Sequence, residues 1–216
     1  MGLQFDLFDT SSSEILSATT YDEFKRKLTE SGCTKCDLHR SATNIVIDRG
    51  NPNSRIMVIG EGPGENEDRL GKAFVGRAGK LLDTVMDAVG LSTDRDMLIA
   101  NIIKHRPPEN RAPRADEAAA CMPYLKKQIQ LVEPRLIILL GAVSLKYMDK
   151  SRKKFAMAEE AGKFFTISEY PGIDFVVLYH TAALLRNPKL KADMWAHVRE
   201  LRAYIDREGI LQERTG

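Results

Sequence analysis

Four stretches of this chain gather residue types that can do chemistry. The first is GEGPGENEDRLGKAFVGRAG, residues 60–79. Glycines at 60, 62 and 64 let backbone amides approach an anion or a flat ligand, and Glu61, Glu67 and Asp68 add carboxylates. A nucleotide-phosphate loop is disfavoured, because no G-K-S/T follows and the carboxylates repel phosphate. The plain alternative is a structural turn. The second stretch is NIIKHRPPENR, residues 101–111. Asn101 at a strand end presents a donor and an acceptor, as reading a pyrimidine edge requires, although capping the next turn is an equally ordinary role. The third is HTAALLRNP, residues 180–188. A lone histidine is more often structural, but one at the edge of a sheet facing two polar loops is well placed for catalysis. The fourth is the set of three cysteines, Cys33, Cys36 and Cys121. Their odd number argues against a disulfide framework and for a metal or redox role.

These residues need elements to hold them. IMVIG (residues 56–60) is a short apolar run stopped by glycine, which reads as a buried parallel strand. Leu81, Leu82, Val85, Met86 and Val89 then follow the helical period up to Gly90. MLIANII (97–103), LIILLG (136–141) and FVVLYH (175–180) repeat the strand pattern. Between them, 116–132 reads as a helix bent or restarted at Pro123. Helices are also expected after Thr20, with Phe24 and Leu28 inward, and over 189–205, with Leu190, Met194, Val198, Leu201 and Ile205 inward. Alternating strands and helices predict an α/β fold, a three-layer α/β/α sandwich around a parallel sheet of about four strands. Ligands of such sheets bind beyond the carboxyl ends of the strands, where the loops after Gly60, Asn101 and His180 converge. Residues 1–19 read as a mobile arm, 20–208 as the domain and 209–216 as a tail.

The 216 residues are 43% apolar, which excludes wholesale disorder. No window approaches the ~18 apolar residues of a membrane span. A soluble, cytoplasmic monomer is expected. The formal charge of +2 allows a nucleic-acid partner only if basic residues gather on one face. KSRKK, residues 150–154, could supply phosphate contacts, although solvated charge is its simpler reading.

GEGPGENED, AFVGRAGKLLD, NIIKHRPPENR, AACMPYL and HTAALLRNP, in this order, closely resemble the family 4 uracil-DNA glycosylases, over residues 32–205. The resemblance implies hydrolytic, monofunctional removal of uracil from DNA to start base excision repair, at the nucleoid, with a structural 4Fe-4S cluster. Cleavage leaves a cation-like sugar and a uracil anion, both of which need stabilising. By resemblance, His180 hydrogen-bonds the uracil oxygen that gains charge, Asn101 reads the base edge and Phe74 stacks on the flipped base. Glu61 and Glu67 match the acidic loop, with Glu61 favoured for handling the water, and Asn110 falls on the sugar and water side. Gly62 stands where family 1 enzymes place a water-orienting aspartate. Leu184 matches the wedge that fills the vacated stack, although its spacing equally suits a helix core, and Arg186 is placed to meet a phosphate. No lysine sits where an attacking amine is needed, so no lyase step is expected. A catalytically silent DNA-binding module with the same fold and cluster is the alternative.

Two departures from the family stand out. Thr181 replaces the usual proline after the histidine, which is expected to loosen the wedge loop. The four cluster cysteines become Cys33, Cys36 and Cys121, with His105 in the fourth place and His39 as its competitor. Zinc in the same cage is the alternative metal. Finally, QFDLF, residues 4–8, resembles the peptide with which bacterial repair proteins dock on the sliding clamp, the alternative being an arm folded onto its own domain.

Overall fold

A computed structural model describes residues 10–211 of the chain. The clamp-like segment Gln4 to Phe8 lies outside the described residues. In chain order the helices are α1 (Thr10–Leu16), α2 (Tyr21–Glu30), α3 (Glu65–Leu70), α4 (Arg77–Asp87), α5 (Ala115–Val132), α6 (Gly141–Met148), α7 (Met157–Glu160), α8 (Thr181–Arg186) and α9 (Leu190–Arg207). The strands are β1 (Arg49–Gly50), β2 (Ile56–Gly60), β3 (Leu98–Asn101), β4 (Leu136–Leu140), β5 (Phe164–Thr166) and β6 (Asp174–Leu178).

The sheet runs β1-β3-β2-β4-β6-β5. Its middle four strands are parallel, as the apolar runs predict, with Gly60 opposite Asn101 and Ile59 opposite Leu139. The expected sheet of about four strands is corrected to six, because β1 and β5 add antiparallel edges. These edges are two and three residues long, too short for a period-two signal. Side chains alternate across the sheet. Met57, Ile59, Leu98, Ile137, Leu139, Phe175 and Val177 pack with Phe24, Leu28 and Leu125 on one face. Ile56, Val58, Ile99, Ile138, Val176 and Leu178 pack with Leu82, Met86, Val198 and Leu201 on the other. That is the three-layer sandwich, with two apolar layers about 10 Å thick in such packings.

Two local outcomes differ from the sequence pattern. Residues 10–16 form a helix rather than a mobile arm, with Ile15 and Ala18 buried and Ser12 in hydrogen-bond contact with Tyr124 at 3.3 Å. Seven residues show too few turns for a helical period to be read. Helix α5 runs unbroken through Pro123. Thr20 does cap α2, accepting from the Glu23 N–H at 3.3 Å. Among the described residues no helix is long and apolar enough to cross a membrane.

Candidate active site

Strand order reverses between β2 and β4, and a crevice must open at the carboxyl ends of strands that part in this way. A cavity of about 680 Å³ lies there, lined by the segments after β2, β3, β4 and β6. It brings together Glu61, Gly62, Glu67, Phe74, Asn101, Asn110, His180 and Arg186. The first turn of α6, Gly141 to Val143, also lines it. That turn was missed in the sequence, although the glycine ending LIILLG was its signal.

The floor is built by close backbone approach. A Cβ on Gly60 would sit 2.5 Å from both Asn101 Oδ1 and the Phe74 ring. Only glycine lets the amide and the ring meet over β2. Phe74 holds a left-handed φ of 54°, and a Cβ on Gly79 would come within 1.8 Å of the Phe74 carbonyl oxygen, so the first turn of α4 presses directly on it. The Phe74 and His180 rings lie 5.6 Å apart between centroids, tilted by 33°.

Asn101 is 1% exposed, and among the described residues neither its Oδ1 nor its Nδ2 has a hydrogen-bond partner. A buried polar atom left unpaired costs about 1–3 kcal/mol, and the cavity beside this amide is the space from which a partner can come. His180, two residues after β6 and capping α8, accepts the Ala182 N–H at Nδ1, 3.1 Å away, which leaves its hydrogen on Nε2. Burial, helped by the Arg186 charge, lowers its pKa to about 4. The imidazole is therefore a neutral donor at physiological pH.

The acidic loop divides its work. Glu67 Oε1 accepts the Gly76 N–H at 2.6 Å and thereby holds the Phe74 loop. Asp68 is buried and accepts the backbone N–H groups of Thr43 and Asn44. Burial raises the Glu61 carboxyl above its usual range, opposed by the Arg186 charge. Asn110 sits in a left-handed conformation, φ 54°, beside Glu109 at 55°. Its Oδ1 accepts from Arg106 Nε at 2.8 Å. The same loop is anchored by Arg111, which donates to both oxygens of the fully buried Glu117 at 2.6 and 2.8 Å.

Helix α8 corrects two expectations. Leu184 is 1% exposed and belongs to the apolar core, the position its spacing also allowed; Leu185 is the exposed leucine. Thr181 does not loosen the segment: its hydroxyl is buried and donates to the Ala78 carbonyl of α4 at 2.7 Å. In the 150–154 run, Arg152 is engaged with Asp149 and Glu160 and lies over the Phe165 ring, while Lys150, Lys153 and Lys154 are exposed.

The cysteines lie on the other side of the β3 loop. Cys33 and Cys36 are half-buried and Cys121 buried. Among the described residues, no three cysteine, histidine or acidic side chains converge on a position for a single metal ion. Cys33, His39 and His105 line one further cavity of about 480 Å³. His39 Nδ1 lies 2.7 Å from the Cys36 carbonyl oxygen. Burial pushes the Cys121 thiol up to about 12, against the pull of the Lys104 ammonium and backbone N–H. Lys104 is itself 1% exposed, donates to the Asn101 carbonyl at 2.9 Å, and is lowered to about 8 by burial.

Fold and cavity together define an α/β/α protein whose polar and aromatic side chains gather at the switch point of its sheet. The family model "Uracil DNA glycosylase superfamily" matches residues 47–202. The chain is 45% identical over 164 residues to the Type-4 uracil-DNA glycosylase of Saccharolobus solfataricus, covering 74% of this chain and 75% of that one. It is 37% identical over 179 residues to the Type-4 enzyme of Thermotoga maritima, covering 82% and 91%. The chain belongs to the uracil-DNA glycosylase superfamily, among the type-4 enzymes, and is a monofunctional uracil-DNA glycosylase.

Proposed function

We propose that the switch-point cavity takes uracil turned out of the DNA stack and that His180, Asn101, Phe74 and Glu61 divide the work of excision. The unpaired Asn101 amide carries this reading. Its Nδ2 and Oδ1 suit uracil O4 and N3–H. In cytosine the acceptor at position 4 becomes a donor and N3 loses its hydrogen, so this pairing reverses. Phe74 supplies the stacking face. As the bond between C1′ and N1 breaks, its electron pair stays on the base, and the neutral His180 donates from Nε2 to the O2 that gains charge. Glu61 faces the cation-like sugar, orients the water whose oxygen bonds to C1′ and takes the proton that this water loses, while the uracil anion leaves to be protonated in solvent. Asn110 lies on that side. Gly62 leaves the loop backbone open to the ligand, and the exposed Arg186 at the rim meets a phosphate. Glu67 is a positioning residue for the Phe74 loop.

Cys33, Cys36, Cys121 and His105 would hold a 4Fe-4S cluster, with His39 competing for the fourth place. The donor chemistry fits, and so does the buried Lys104 ammonium, which has no carboxylate in ion-pairing reach among the described residues and stands beside Cys121. A thiolate-bound cluster would add counter-charge beside that of Asp48, which Lys25 already engages. A single zinc ion needs four donors converging on one point, whereas a cluster spreads its ligands further apart. When bound, the cluster would cross-link the segment after α2 to α5 and the β3 loop. The protein would act as a cytoplasmic, nucleoid-associated monomer, with residues 4–8 reaching the sliding clamp.

The test is incubation with matched uracil- and thymine-containing oligonucleotides, followed by alkali. Strand scission at uracil alone is expected. Equal scission of the two, or none from iron-replete protein, would overturn the reading.

A further inference from the structure

We propose that the Thr181 hydroxyl is a positioning group that locks the two walls of the base cavity, the His180 wall and the Phe74 wall, in register. The inference rests on the roles given above to His180 and Phe74. Thr181 is wholly buried, and its Oγ1 lies 2.7 Å from the Ala78 carbonyl oxygen, a contact between residues 103 apart in sequence.

Each end of this bond is stiffly coupled to one wall. At one end, Ala78 lies in the first turn of α4, and the neighbouring Gly79 has no space for even a Cβ against the Phe74 carbonyl. Phe74 is itself held at a left-handed φ of 54°. A shift of the α4 turn is passed to the ring, because the packed backbone between them has no slack. At the other end, Thr181 follows His180 directly, and the His180 Nδ1 is already fixed by the Ala182 N–H. The His180 Cβ also bears on Gly141, where an added Cβ would come within 3.0 Å. The hydroxyl therefore connects two rigid bodies at the level of the rings they carry, 5.6 Å apart.

The bond must come from a side chain. Thr181 occupies the first position of α8, where a backbone N–H has no partner within the helix. Leu82 of α4 and Leu184 of α8 belong to one apolar core, and apolar packing resists separation better than it resists sliding. A directional bond at one end of such a contact removes the sliding freedom. Misplacing a reacting group by about 1 Å can cost 10²-fold in rate, so a latch of this kind acts on catalysis more than on affinity.

The test compares Thr181→Val, which keeps the shape and removes the bond, with Thr181→Ser, which keeps the hydroxyl. Single-turnover excision is measured at saturating enzyme, well below each variant's melting temperature, alongside the Kd for DNA carrying an abasic-site analogue. Thr181→Val is expected to lose roughly tenfold or more in rate with Kd changed less than about threefold, and Thr181→Ser to stay within a few-fold of wild type. The Thr181→Val loss is also expected to shrink when Phe74→Ala is already present, since no ring is left to align. A wild-type rate in Thr181→Val, a rate loss that Thr181→Ser shares, or a full loss in the Phe74→Ala background would each overturn the latch. If Thr181→Val does not fold, Thr181→Ala against Thr181→Ser carries the same comparison. Failure of the underlying roles is separable, because it appears as wild-type rates in Phe74→Ala and His180→Ala themselves.

Discussion

Asn101, the last residue of β3, and Lys104, three residues further on, are both about 1% exposed, yet they face opposite problems. The Asn101 amide is neutral, and leaving its two atoms unpaired costs a few kcal/mol at most. A fold can carry that cost, and on the proposed reading it is recovered when a base enters. The Lys104 ammonium is charged, and an isolated buried charge costs far more than an unpaired amide. Such a group needs counter-charge, and Asp48 acts on it from within electrostatic reach. On the reading proposed above, the first region takes a transient guest and the second a resident one. The Lys104 bond to the Asn101 carbonyl joins them.

The comparison breaks most sharply at the base cavity. His180→Ala and Asn101→Ala are each expected to lower single-turnover excision by roughly 10² to 10³, the usual result of removing a donor from developing charge. Asn101→Ala is also expected to narrow the preference for uracil over cytosine. Wild-type rates in both variants would show that the cavity is not where chemistry happens.

The cysteine region is expected to respond in stability rather than in specificity. Protein purified without oxygen is expected to be brown, with about four irons per chain. Cys121→Ala is expected to lose the colour and melt at lower temperature. His105→Cys is expected to keep the cluster and shift its spectrum. An unchanged spectrum in His105→Cys, with loss of colour in His39→Ala, would move the fourth ligand to His39. Zinc in place of iron would assign the cage to a single ion.

A smaller effect sharpens the division of labour within the cavity. On the proposed role Glu61 acts as a carboxylate whose pKa burial raises, so the rate is expected to fall as pH drops through that raised value. His180 stays neutral down to about 4 and so adds no acid limb near 6.5. Glu61→Gln is expected to lower the rate and flatten the acid limb. A limb that survives Glu61→Gln and disappears in a His180 variant would reverse the assignment. The smallest expected effect on short substrates comes from deleting residues 1–9. Excision from short oligonucleotides is expected to be unchanged while clamp binding by calorimetry is lost; absence of clamp binding in the intact chain would remove the docking role.

The sequence by itself determined the four parallel strands and the polar residues at their carboxyl ends. Local pattern carries that much: an apolar run stops, and the polar side chain at its end, Asn101, or just beyond it, Glu61 and His180, sits at the sheet's carboxyl edge. Tertiary structure alone decided which of several equivalent candidates was free to act. Glu61 and Glu67 look alike in the chain, but Glu67 is held by Gly76, on a loop that only the fold brings alongside. Leu184 and Leu185 share one helix, and which of them is buried depends on where α4 and α9 pack against it. Thr181 read as a loosening change until its partner, 103 residues away, was in place. A residue's type and its local period are written in the chain; its partner across the fold follows from long-range packing, which no local window contains.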